Sequence, residues 1–404
     1  MTASLLNALF AGRPFAGGDR EGWFAVHGGA ARLPAVLRQP VLASFDALAQ
    51  RYRGPLSFGR GLRDPQTFDS HASPARLARL GLTVYLRDIA PAVPGAHAFL
   101  QALEAELGIG EGTARLTAFA SPGDEGVSLH YDAEEVISVQ LAGRKTFHVA
   151  PMEEIAAPYG AQFGPGMAAV EDLYEQLGDR LPDPARARFE TVEMAPGSVL
   201  WLPRGTWHRT EARGTDSFSL TIALRPQTAL DALLAQLEPL LRAEVRWRRP
   251  LYGLRPASPG RADALAPLHG LLSTLPATLA RLPADALAPR TEPERIAAIG
   301  PASRFARVPT SRLEVGPAAP GRALLVLHAW DRDWVERETL RTEIPAAVAP
   351  LARHLAAREG AFAARALHAE FAALPAAHVR QLLQLLVRSH FLRLLALPDS
   401  SAPT

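Results

Sequence analysis

His130, Asp132 and His208 are the residues of this chain whose types and spacing suit a metal ion. His130 and Asp132 lie two positions apart in Gly126-Val-Ser-Leu-His-Tyr-Asp132, and on an extended chain, side chains two apart project from one face. His208 ends Pro196-Gly-Ser-Val-Leu-Trp-Leu-Pro-Arg-Gly-Thr-Trp-His208, a second strand-like run opened by a Pro-Gly turn. Two imidazoles and one carboxylate, with the remaining positions open, form the donor set of non-haem Fe(II) oxygen chemistry.

Lys145 sharpens this reading. The chain carries 43 Lys plus Arg, and Lys145 is the only lysine among them. One ammonium in an otherwise arginine-only chain marks a place where a compact, flexible cation is needed. Val136 to Leu141 and Arg144 to Val149 read as two strands of a hairpin around Ala142-Gly143. Lys145 would then share the apolar face with Phe147 and Val149, while Arg144, Thr146 and His148 take the other. An ammonium on an apolar face needs an anionic partner, and the carboxylate of a bound 2-oxo acid would serve.

Taken together, His-Tyr-Asp, a lysine fifteen residues after the histidine, the Pro-Gly-Ser-Val-Leu-Trp run ending in Trp-His208, and Ser217-Phe-Ser-Leu-Thr-Ile resemble the JmjC-type 2-oxoglutarate oxygenases, closest to their ribosomal-oxygenase branch. The resemblance is close over Gly126 to Ala223 and looser elsewhere. It implies an α+β fold built on a double-stranded β-helix (cupin-like) barrel. It also implies Fe(II) held by His130, Asp132 and His208, with the distal carboxylate of 2-oxoglutarate on Lys145 and O2 as the oxidant. Ser217, Ser219 and Thr221, alternating on the strand after His208, match the strand that hydrogen-bonds the cosubstrate in the family. Where the branch usually has Asn-x-Tyr, this chain has Leu116-Thr117-Ala118.

The elements that must position these groups fall into three segments. Residues 1–225 read as the catalytic barrel with an α/β preamble, in which Pro94 to Leu107 is an amphipathic helix and Ala114 to Phe119 begins the barrel. Residues 226–300 are helical: Thr228 to Val245 carries a leucine stripe of 3.6-residue period, and Leu271 to Leu287 repeats the habit. The resembled branch dimerises through such a region, so a homodimer is expected. Residues 301–404 read as a winged-helix-like domain. It begins with a hairpin over Arg322 to Val335 and continues with helices at Ala346–Arg358, Ala364–Phe371 and Ala377–Ser389 before a terminal strand at Phe391–Leu395. The last helix offers only Arg380 and Arg388, too few for a nucleic-acid reader.

Composition bounds the rest. No cysteine is present, which excludes disulfides and thiolate metal sites. With no secretory signal and no run long enough to span a bilayer, a cytoplasmic protein is the expectation. The net charge is +2; residues 1–225 hold 21 basic and 25 acidic side chains, a balance compatible with a basic or neutral substrate. Glu153, Glu154, Glu171, Asp172 and Glu175, in the loop-like Pro151 to Glu190, read mainly as a solvated face, with contact to a basic substrate residue as the alternative. The implied activity is hydroxylation of a C–H on a protein or peptide side chain. The competing readings are a tailoring hydroxylase of small or peptide natural products and a non-catalytic cupin-like binding protein.

Overall fold

The computed structural model describes residues 4–15, 22–61, 67–110, 112–160, 162–169, 171–178, 180–214, 216–257, 260–280, 282, 296–330 and 336–396. The chain divides into two compact units, Met1–Ala264 and Leu265–Thr404.

The strands of the first unit are β1 (Phe24–Val26), β2 (Leu56–Gly59), β3 (Phe68–Ser70), β4 (Thr83–Leu86), β5 (Ala114–Ser121), β6 (Gly126–His130), β7 (Glu135–Ala142), β8 (Lys145–Pro151), β9 (Glu190–Met194), β10 (Val199–Leu202), β11 (Thr206–Ala212) and β12 (Ser217–Leu224). They form two antiparallel sheets, in the orders β1-β10-β7-β12-β5-β4-β2-β3 and β6-β11-β8-β9. Side chains from both sheets line one cavity, so the sheets face each other as the two walls of a cupin-like barrel.

Period-two alternation sorts the large sheet into two faces. Leu116 and Ala118 of β5, Ile137 and Val139 of β7, and Leu220 and Ile222 of β12 are buried in one core with Phe10, Leu48, Phe99, Leu100 and Leu103. These last five lie on the helices Leu5–Phe10, Phe45–Arg51 and Ala96–Leu107, so the helices cover the outer face. The residues between them, Thr117, Ser138, Ser219 and Thr221, face the cavity. The helix Ala96–Leu107 ends where Gly108 turns left-handed at φ 68°, the usual glycine stop.

The hairpin expected around Ala142-Gly143 does not form. β7 pairs with β10 and β12 in the large sheet, whereas β8 pairs with β9 and β11 in the small one. Gly143 has φ +67°, and a Cβ there would stand 2.0 Å from the Asp216 carbonyl oxygen. The chain bends sharply at this glycine and crosses to the opposite wall, which carries Lys145 into the small sheet while leaving its face as expected.

A helix at Ala229–Ala243 follows the barrel, opened by a capping box in which Thr228 and Asp231 exchange hydrogen bonds. Leu230, Leu234 and Leu240 on it are exposed. The single run expected over Leu271 to Leu287 is instead two helices, Arg261–Leu272 and Leu275–Leu279. Pro276 fits only the first turn of a helix and so restarts it. Residues 283–287 and Val335 lie outside the described residues.

The second unit contains β13 (Arg304–Arg307), β14 (Ser311–Pro317), β15 (Arg322–Trp330), β16 (Glu336–Pro345), β17 (Ala361–Ala363) and β18 (Leu392–Ala396). They form two three-stranded sheets, β14-β15-β16 and β17-β13-β18. Helices Ala349–Ala357, Ala364–Glu370 and Ala376–Arg388 share a core with them built on Phe305, Leu327, Leu355, Leu367 and Leu383.

Candidate metal and cosubstrate site

His130, Asp132 and His208 come together at the cavity wall, each offering one ligand atom within 4.8 Å of the others. β6 and β11 are paired with His130 opposite His208, so the two imidazoles are brought side by side by strand register. Asp132 follows just beyond the end of β6, its oxygens 3.8 Å from His130 Nε2 and 3.6 Å from His208 Nε2. The histidines are set by their other nitrogens: His130 Nδ1 lies 2.7 Å from the Ser128 carbonyl and His208 Nδ1 lies 2.9 Å from the Thr206 carbonyl. A carbonyl only accepts, so each Nδ1 carries the proton and each Nε2 keeps its lone pair for a metal. Burial, followed by the neighbouring His130, pushes the His208 pKa down to about 4, against the pull of Asp132 and the Thr206 carbonyl. The imidazole is therefore neutral at pH 7, the ligating form. Two imidazoles and a carboxyl group on one side of an open cavity fit a ferrous ion.

The loop after β8 braces this trio from behind. Tyr131, between His130 and Asp132, makes a two-way backbone bridge with Phe163 at 2.9 and 3.1 Å, and its ring meets Trp207 edge-on at 5.1 Å. Gly164 lies so close to the strand that a Cβ would stand 2.2 Å from the Leu129 carbonyl oxygen and 3.0 Å from His130 Cβ. Only glycine fits there. Glu134 and Glu135 are engaged elsewhere, with Arg115 at 2.5 Å and Arg204 at 3.7 Å respectively.

Lys145 is 2% exposed and lines the same cavity of about 460 Å³. Its Nζ donates to Ser219 Oγ at 2.8 Å and lies 5.6 and 6.0 Å from the ring centres of Phe119 and Phe147. No acidic side chain pairs with it among the described residues. Burial alone brings its pKa down to about 7, the cost of an ammonium without a counter-ion.

Of the hydroxyl residues expected to assist it, Ser219 and Thr221 line the cavity and Ser217 does not. Ser217 lies one pleat further on, where its oxygen accepts from Gln140 Nε2 at 2.9 Å. Phe147 lines the cavity as expected, and His148 faces away to Glu211 at 3.0 Å. Trp201 and Trp207 are fully buried in two separate cores and neither lines the cavity.

Several cavity residues were not singled out from the sequence. Leu116 and Ala118 point into the outer core, so the cavity positions of β5 are Arg115, Thr117 and Phe119. Tyr85 of β4 stacks on Phe119 at 4.5 Å between ring centres, and burial pushes its phenol up. Arg225 and Gly160 complete the rim. Strict alternation counted outward from Thr117 would have found Arg115 and Phe119. Tyr85 and Gly160 are brought in by tertiary pairing, which leaves no local signal.

A two-walled barrel with a His-x-Asp…His trio and a buried lysine in one cavity defines a class, and residues 106–232 match the JmjC domain family; this part of the chain is a JmjC domain. The chain is 29% identical over 160 residues to the uncharacterized protein YxbC of Bacillus subtilis, covering 39% of this chain and 48% of that protein. It is 31% identical over 124 residues to ribosomal oxygenase 1 of Rattus norvegicus, covering 30% of this chain and 18% of that protein. It thus spans about half or less of the curated relatives it matches. Among solved structures it is similar to YcfD, a ribosomal oxygenase from Escherichia coli, at 16% identity over 87% of this chain and 90% of that one, with a TM-score of 0.41. The same protein in complex with cobalt and 2-oxoglutarate gives a TM-score of 0.40 at 16% identity over 87% and 91% of the two chains. Among the described residues, no helix is long and apolar enough to cross a membrane.

Proposed function

We propose that this chain is an Fe(II)- and 2-oxoglutarate-dependent dioxygenase that hydroxylates a C–H of a protein or peptide side chain. The observation that carries the proposal is the pairing, in one cavity, of a metal-competent trio with a buried lysine that has no acidic partner among the described residues. His130, Asp132 and His208 would hold the iron from one side, with ring orientation fixed by the Ser128 and Thr206 carbonyls. Lys145 would take the distal carboxylate of 2-oxoglutarate, with Ser219 holding the ammonium in place and Phe119 and Phe147 keeping water from the pair. When bound, iron with 2-oxoglutarate and O2 supplies the oxidising chemistry; the protein supplies geometry and a dry cavity. A macromolecular substrate is favoured by the similarity to ribosomal oxygenase 1 over the matched segment.

The direct test is succinate release from 2-oxoglutarate, dependent on Fe(II) and O2, followed by mass spectrometry of peptides after incubation. Oxidation of small molecules only would favour the tailoring reading, and binding without succinate release would favour a non-catalytic cupin-like protein.

We further propose that the exposed leucines of Ala229–Ala243 pair two copies of the chain, checked by mass from light scattering at micromolar concentration. Residues 301–404, which close with the order helix-strand-helix-helix-strand over residues 349–396, would form a winged-helix-like domain with a structural or substrate-orienting role and no nucleic-acid binding. A cytoplasmic location agrees with these readings.

A further inference from the structure

We infer that the substrate presents an anionic group, a carboxylate of an acidic side chain, to Arg115 and Arg225 at the rim of the cavity. This rests on the oxygenase reading and narrows its substrate class. Apart from the metal trio and Lys145, the charged side chains lining the cavity among the described residues are Arg87, Arg115, Arg225 and Glu134. Arg87 is committed to Asp69, and it also donates to Ser57 Oγ at 3.1 Å. Arg115 and Arg225 converge on a single oxygen of Glu134, at 2.5 and 3.6 Å. Two guanidiniums therefore share one carboxylate, and the rim keeps an excess positive charge.

The position suits substrate. Glu134 is two residues beyond Asp132, a chain distance of about 7 Å, so a group docked there lies beside the metal trio. Arg115 and Arg225 lie on the cavity face of β5 and just past β12, two residues further out than Thr117 and four further out than Thr221. Arg225 also donates from Nη2 to the Gly160 carbonyl at 2.9 Å, which fixes its head at the rim. Arg115 and Arg225 are 53% and 61% exposed, so their present pairs are screened and give way at little cost. A guanidinium presents a planar fork that matches a carboxylate at two points. The acidic residues of the loop, which the sequence offered for a basic substrate, are absent from the lining among the described side chains.

The test uses the full chain with Fe(II) and 2-oxoglutarate and two blocked peptide pools, identical and random except that one carries a fixed glutamate and the other a fixed arginine at the same position. Incorporation of one oxygen is read by mass, and binding of fluorescent pools is read in parallel by anisotropy, which needs no turnover. The glutamate pool should be preferred by roughly two- to fivefold per arginine engaged, the range for exposed ion pairs. Arg115→Glu combined with Arg225→Glu should invert the preference, the two glutamine variants should level it, and Glu134→Gln should increase it. The ratio is taken within each variant, so a general loss of activity cancels. Equal response to the pools, preference for arginine in the native chain, or a preference that survives charge reversal overturns the inference. Loss of peptide-free succinate release with an intact anisotropy preference would instead count against the oxygenase reading alone.

Discussion

Lys145 and Arg115 are cations on the walls of one cavity, yet they are built in opposite ways. Lys145 is 2% exposed, touches one hydroxyl and two aromatic rings, and has no acidic partner among the described residues. Arg115 is half exposed and rests on Glu134, which Arg225 also approaches. Water stabilises a rim charge whether or not a ligand is bound, whereas a deep charge must wait for its counter-ion. On the proposed reading, the deep end would take one small dianion and the rim would sort substrates.

The metal trio anchors the deep end and gives the largest expected effect. His208→Ala should abolish Fe(II)-dependent succinate release and weaken metal binding while the circular dichroism of the folded chain is retained, because His208 lines the cavity and belongs to none of the hydrophobic cores. Full activity in this variant would leave the trio without a function.

Next in size is Lys145→Ala. Removing one partner of a buried charge pair typically costs about 2–5 kcal/mol, so the 2-oxoglutarate requirement should rise by roughly 1.5 to 3.5 decades. Metal affinity should persist, because Lys145 is not a ligand. An unchanged 2-oxoglutarate dependence would erase the contrast between the two ends of the cavity.

The same burial predicts a pH dependence. The Lys145 pKa is about 7 without an anion, and a bound carboxylate raises it. Binding thus favours the protonated form: affinity for 2-oxoglutarate is full below about pH 7 and should fall by up to about tenfold per unit as pH rises above it. Calorimetry in buffers of different ionisation enthalpy should record proton uptake on binding. Arg225 pairs with Glu134 and the Gly160 carbonyl and not with Lys145, so Arg225→Gln should leave this pH profile in place.

The deep end was legible in the sequence and the rim was not, for a physical reason. His130 and Asp132 sit within one run, where period two fixes the shared face; Lys145 was placed by its alternation with Phe147 and Val149, and a lone lysine among arginines is visible in composition alone. His208 was legible from the Trp-His that closes the resembled run, although that run is two strands: the Pro-Gly turn opens β10, and His208 lies on β11 in the other sheet. The hairpin error at Gly143 arose because a tight turn between two apolar runs reads alike whether the chain folds back or crosses to the other wall. Of Leu116-Thr117-Ala118 only Thr117 lines the cavity, since Leu116 and Ala118 are buried in the outer core. The rim was hidden because Arg115, Glu134 and Arg225 come from three separate segments, each with an ordinary charged residue at a strand end.

The smallest expected effect separates two serines that the sequence placed together. Ser219 accepts from Lys145 Nζ at 2.8 Å, and Ser217 accepts from Gln140 Nε2 at 2.9 Å. Ser219→Ala removes a bond to a charged group but leaves the lysine its carboxylate, so affinity for 2-oxoglutarate should drop roughly three- to tenfold, at the low end for such bonds. Ser217→Ala removes a neutral bond away from the cavity, and Gln140 Nε2 keeps its second acceptor, the Ala142 carbonyl at 2.6 Å. That variant should lose about 1 kcal/mol of stability or less, seen as a small fall in Tm, with 2-oxoglutarate affinity changed by less than about twofold. If Ser217→Ala weakened the cosubstrate as much as Ser219→Ala, Gln140 and Ser217 would have to act through Lys145, and the deep end would extend a pleat further than its lining shows.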